Sequence, residues 1–224
     1  MELSHLGVRI DAIIGEIFMK DIVLGKRKHS GHLSAPKKVS LSFLAVIIFG
    51  AIVLSLPFAN KHHAASFLDN LFISTSAVCV TGLSPLTVVD QYNLFGQIVL
   101  IILVQIGGLG FLTFLYLFLF LARQRITLSK KLVFTEALNQ NSLSMLPRLL
   151  KTIFIYTVSI ETIGAIFLSM FFMPRLGALK GLYYGIWHSI SAFCNAGFDL
   201  CGSTSFVAYN TSPIINFIVP FEII

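Results

Sequence analysis

The sequence predicts an all-α membrane protein built from tandem, parallel repeats of helix, pore loop and helix, and three observations carry that expectation. Hydrophobic residues make up 56% of the 224 and charged residues only 12%, about half the roughly 25% charged usage of a soluble domain. Apolar runs recur along the chain, each near the roughly 20 residues that cross a hydrocarbon core. A motif, STSAVCVTGL at 74–83, returns as SISAFCNAGF at 189–198, both times between such runs.

Residues 1–36 read as a cytoplasmic tail. Glu2, Arg9, Asp11, Glu16, Lys20 and Asp21 interrupt any apolar core, so no signal peptide is expected. Leu6, Ile10, Ile13, Ile14 and Ile17 recur at helical spacing, which fits either a helix on the inner membrane surface or a frayed tail. The first repeat, 37–122, holds uncharged runs at 39–58 and 93–122. The second run would be about 45 Å long as a helix, so it should tilt or protrude into the cytoplasm. Residues 123–147 read as a cytoplasmic linker. The second repeat, 148–224, holds a run at 152–174 whose only charge is Glu161, and an uncharged run at 203–221. Its last helix, ending VPFEII without a basic anchor, is expected to be cut short within a longer protein.

The net charge of +6 does not point to nucleic acid, because the basic residues follow topology and form no aromatic-interleaved patch. Thirteen of the 16 lie before the first span or between the second and third. The positive-inside rule therefore puts the N-terminus and the linker in the cytoplasm, with a bacterial plasma membrane the expected setting. Segment 64–89 is apolar enough to cross, but a crossing would put one basic segment outside. It should dip in and return: SFLDNLFISTSAV forms a short helix, and the glycine and proline of VTGLSP break it.

Two such loops can do specific chemistry. A dehydrated cation needs oxygens in place of its water, and backbone carbonyls supply them when extended segments surround one axis. Gly82 and Gly197 stand where carbonyls must point inward and segments crowd. Cys79, Val80 and Thr81, and in the second loop Cys194, Asn195 and Ala196, would donate mainly backbone carbonyls. The competing reading of each glycine is a helix C-cap. Gln105, Gly107, Gly108 and Gly110 suit close helix packing or a hinge. Glu161, inside a span, reads either as functional or as protonated or hydrogen-bonded to a pore helix. Asp69, Asp90 and Asp199 are expected on the outer side, as cation attractors or as ordinary solvated acids. Cys79, Cys194 and Cys201 lack zinc spacing, and His62, His63 and His188 offer too few convergent ligands for a metal centre.

SAVCVTGLSP, then QIGGLGFLTF, then SISAFCNAGFD resemble the Ktr, Trk and HKT superfamily of potassium transporters, the KtrB type in particular, over residues 37–224. The resemblance implies four repeats around one pore with pseudo-fourfold symmetry, of which two stand here. It implies potassium uptake, often coupled to or stimulated by sodium, with one filter glycine per repeat. It also implies a dimer on a cytoplasmic ring of nucleotide-binding regulatory subunits, with the bilayer and the remaining half, or another copy, as further partners. No resident cofactor is expected, potassium being cargo and sodium a possible second ion. The family's gating loop and pore-facing basic residue belong to the third and fourth repeats, so neither is carried onto these residues. A secondary transporter of another substrate would typically use inverted repeats, whereas these look parallel. An intramembrane enzyme lacks support, since no nucleophile, base and orienting group recur together and no HExxH occurs. A non-conducting assembly fragment is the remaining alternative.

Overall fold

In a computed structural model, residues 35–61, 63, 65–110 and 146–223 are described. Nearly all of the expected N-terminal tail and of the expected linker lie outside them, while Ala35 and Pro36, placed in the tail, open the first helix. The described residues form helices joined by turns. Helix α1 (Ala35–Leu54) is followed by Pro57, which lacks an N–H and opens a short 3-10 helix, Pro57–Ala59. Asn60 Nδ2 donates to the Leu54 and Leu56 carbonyls at 2.9 and 3.0 Å, satisfying acceptors left open beyond the helix end.

Helix α2 (Phe67–Val78) starts at Ser66, whose Oγ accepts from the Asp69 N–H at 3.1 Å and donates to the Asp69 carboxylate at 2.7 Å. The short α3 (Val88–Gln91) leads into α4 (Leu94–Gly108). Asn93 Oδ1 caps α4 through the Gly96 N–H at 3.1 Å. Helix α5 (Leu146–Leu176) turns at Gly177, whose φ of 86° is a conformation glycine tolerates. Helices α6 (Ala178–Phe193) and α7 (Pro213–Ile223) complete the set. Among the described residues, Leu150–Leu176 is long and apolar enough to cross a membrane, and Ser40–Leu54, Phe67–Val78, Leu94–Gly108 and Pro213–Ile223 are shorter apolar helices.

Helices α1, α2 and α4 pack as one group, and α5, α6 and α7 as another. Helix α4 joins them through α6: Tyr183 OH donates to Gln97 Oε1 at 3.0 Å and Trp187 Nε1 to the Gln97 carbonyl at 3.2 Å. One core, including Leu54, Ile73, Leu100, Leu168, Phe172 and Trp187, runs through both groups. Beside the first group a polar knot ties the loops down. Tyr92 OH donates to Asn70 Oδ1 at 2.6 Å, Asn70 Nδ2 to Ser55 Oγ at 3.1 Å, and Gln91 Nε2 to Asn60 Oδ1 at 2.7 Å.

Two expected spans differ from what forms. The run 93–122 is not one continuous helix: α4 stops at Gly108, Leu109 turns, and Gly110 takes φ 75°; residues 111–122 lie outside the described set. Fifteen residues are about 22 Å of helix. The run 203–221 is broken as well, into a 3-10 helix at Ser205–Tyr209 and α7. Pro213, at the first position of α7, has a fixed φ and no N–H, which suits a helix start better than an interior.

Candidate functional site

Both motif segments make the same turn. After α2, Val80 N–H donates to the Ala77 carbonyl at 3.2 Å and Thr81 N–H to the Ser76 carbonyl at 2.9 Å. After α6, Asn195 N–H donates to Ala192 and Ala196 N–H to Ser191, both at 2.8 Å. This paired pattern is the Schellman helix stop, which requires a left-handed residue just past the cap. That residue is Val80 at φ 55° in one loop and Asn195 at φ 54° in the other. The helix-cap role therefore falls to these two positions, and Gly82 and Gly197 lie beyond it.

The glycines are left-handed for another reason. Gly82 has φ 73° and Gly197 φ 71°, and the two backbones meet there. A Cβ on Gly82 would lie 2.7 Å from the Ala196 carbonyl oxygen, and one on Gly197 would lie 3.1 Å from Gly82 Cα. No other residue fits both the backbone angle and the approach. Gly82 and Gly197 share a cleft of about 290 Å³ whose wall includes Ser84, Asp199, Ser203 and Ser205. Cys79, Thr81 and Asn195 are exposed, Val80 is partly exposed, and Cys194 and Ala196 are buried.

Each turn is anchored by serines. Ser74 Oγ donates to the Ile47 carbonyl on α1, and Ser189 Oγ to the Glu161 carbonyl on α5, both at 2.7 Å. Further along, Ser76 Oγ accepts from Thr81 Oγ1 at 2.9 Å, whereas Ser191 Oγ donates to the Phe198 carbonyl at 2.6 Å. Packing of α4 holds both turns: a Cβ on Gly107 would meet the Val78 carbonyl oxygen at 2.4 Å, and one on Gly108 would meet Cys194 Sγ at 2.5 Å. These are close-packing contacts, the first of the two roles weighed for this pair.

Glu161 does not send its carboxylate to a pore helix, a correction to one of its expected roles. Gln105 Nε2 on α4 donates to Glu161 Oε1 at 2.8 Å, and Gln105 Oε1 accepts from Cys194 Sγ at 3.5 Å. The Glu161 backbone carbonyl accepts from Ser189 on α6. Glu222 was missed by sequence reasoning. It is 5% exposed on α7, and Ser189 bonds to its Oε1. An acid within a run otherwise apolar was the available signal.

Of the acids expected outside, Asp199 lines the cleft, while Asp69, half-buried, and Asp90, exposed, lie away from its lining. Asp199 Oδ1 accepts from the Cys201 N–H at 2.7 Å and Oδ2 from Ser205 Oγ at 2.6 Å. His188, Asp199 and Cys201 offer ligand atoms within 4.8 Å of one another, a convergence their spacing did not reveal. The His188 nitrogens are engaged, however. Nδ1 faces the Tyr184 carbonyl at 2.6 Å and Nε2 accepts from the Leu200 N–H at 3.0 Å, which requires the neutral Nδ1–H tautomer. The histidine thus fastens the loop after Gly197 to α6. His63 is exposed, and His62 lies outside the described residues.

Several proteins are similar to this chain in sequence. The potassium/sodium uptake protein NtpJ of Enterococcus hirae is 40% identical over 180 residues, which is 80% of this chain and 40% of that protein. The Ktr system potassium uptake protein B of Bacillus subtilis is 38% identical over 186 residues, 83% of this chain and 41% of its own length. Its namesake from Vibrio alginolyticus is 38% identical over 182 residues, 81% and 40% of the two chains. The chain spans about two fifths of the length of these relatives. Residues 13–224 match the TrkH family, described as cation transport protein, and the chain belongs to that family.

Proposed function

We propose that this chain supplies two walls of a potassium filter in a transporter that takes up potassium across a bacterial plasma membrane. The observation that carries the reading is the meeting of Gly82 and Gly197 at matching left-handed angles, beyond the helix caps and at one cleft. Helix caps explain Val80 and Asn195 but leave the glycines unexplained; crowding of carbonyl-bearing segments around one axis explains them. In this reading Cys79, Val80, Thr81 and Gly82, with Cys194, Asn195, Ala196 and Gly197, form the filter segments. Helices α2 and α6 are the pore helices of two parallel repeats.

The names of the relatives, which speak of potassium uptake and in one case of sodium, support potassium as cargo and sodium as a second ion. The 13 to 3 division of basic residues supports a multi-pass chain with a cytoplasmic N-terminus. The word system in the names of two relatives is compatible with a cytoplasmic nucleotide-binding regulatory subunit beneath a transporter dimer. The test is uptake by a complete transporter carrying this segment. Gly82→Ser should weaken the preference for rubidium over sodium, and Gly197→Asp should nearly abolish uptake. Unchanged relative flux in both variants would refute the filter assignment.

A further inference from the structure

Ser189 has one hydroxyl proton and two oxygen neighbours. Its Oγ lies 2.7 Å from the Glu161 carbonyl oxygen and is also bonded to Glu222 Oε1. The equivalent Ser74 donates to the Ile47 carbonyl at the same 2.7 Å. There the neighbouring space, over Gly50, is filled by Leu103, whose Cδ1 would lie 2.7 Å from a Cβ on that glycine. The matching space, over Gly164, is filled by the Glu222 carboxyl. If Ser189 donates as Ser74 does, its proton is committed to the carbonyl. The bond between Ser189 and Glu222 then needs a proton from the carboxyl group.

The other carboxyl oxygen leads to the same assignment. Glu222 Oε2 is buried and finds no hydrogen-bond partner among the described residues, which is costly for an ionised carboxylate and far less so for the carbonyl oxygen of a neutral acid. We propose that Glu222 is held as a neutral carboxylic acid which donates to Ser189, and that it thereby positions α6 and the second filter segment. It is a positioning residue, acting on the ion through Ser189 and the turn at Cys194–Asn195.

Infrared spectroscopy of the complete transporter carrying this chain tests the proton directly. A protonated-carboxyl band should be present, shift in deuterium oxide and vanish in Glu222→Gln. In Ser189→Ala it should move, because its acceptor is gone. Absence of the band, or its persistence in Glu222→Gln, overturns the proposal. The positioning role rests on the filter reading and is measured by relative rubidium and sodium flux. Glu222→Gln, whose amide can still donate, should keep the preference. Glu222→Leu should lower it about fivefold, the scale of one lost hydrogen bond; equal selectivity in the two variants overturns the positioning role. Should Gly82→Ser and Gly197→Asp both leave relative flux unchanged, the filter reading fails while the infrared band still decides the state of Glu222.

Discussion

Val80 carries a β-branched side chain at φ 55°, in the turn where Asn195 stands in the other loop. Asparagine visits the left-handed region readily, while valine is strained there by roughly 1–3 kcal/mol. Val80→Asn should therefore raise stability by about 1 kcal/mol, read as a higher melting temperature of the transporter in detergent; an unchanged or lower value would show that neighbouring packing already offsets the strain. The strain also explains what could be read in the sequence at this scale. The repeated serines, cysteine and glycine were visible because both segments make one turn with the same anchors. That Val80 performs the helix stop was not, since local preference argues against it and tertiary contacts prevail. Glu222 escaped because its partner, Ser189, is distant in sequence.

Helices follow the apolar pattern closely where local signals agree. The segment SFLDNLFISTSAV becomes α2, with Ser66 and Asp69 at its start. Where the pattern is uniformly apolar it marks no boundaries, so the run 93–122 concealed the stop at Gly108 and the run 203–221 concealed the break before Pro213. The glycines of α4 gave a sounder signal, through packing. Gly107→Ala would drive a Cβ to 2.4 Å from the Val78 carbonyl oxygen, whereas Gly110 has nothing within 4 Å. Overpacking against backbone costs about 1–3 kcal/mol, and alanine at φ 75° about 1 kcal/mol. Gly107→Ala should thus destabilise the protein more than Gly110→Ala in a melting experiment, and should disturb rubidium over sodium preference because Val78 leads directly into the turn at Cys79 and Val80, proposed above as a filter segment. The reverse order of stabilities would mean that α4 does not hold α2 in place.

Across the whole molecule, α4 and α6 bring the two turns together so that Gly82 faces Gly197. A dehydrated potassium ion needs oxygens on all sides, and on the proposed filter reading two segments supply only part of that ring. The helices also leave large apolar side chains outward, among them Leu41, Ile52, Phe72, Tyr156 and Phe217, which suits lipid on some faces and further helices on others. Relatives more than twice as long as the stretch they share with this chain have room for the further walls that the proposed filter requires. Residues 1–224 expressed alone, as a monomer, should accordingly fail to conduct potassium selectively, since open loop backbone facing lipid costs several kcal/mol per unsatisfied group. Co-expression with the remaining portion of a Ktr-type relative should restore growth of a potassium-uptake-deficient bacterium at low potassium. Two copies could instead complete a ring, and cross-linking of purified material separates that assembly from complementation. Growth supported by the chain alone, with selective flux from a preparation shown to be monomeric, would prove the two-wall geometry wrong.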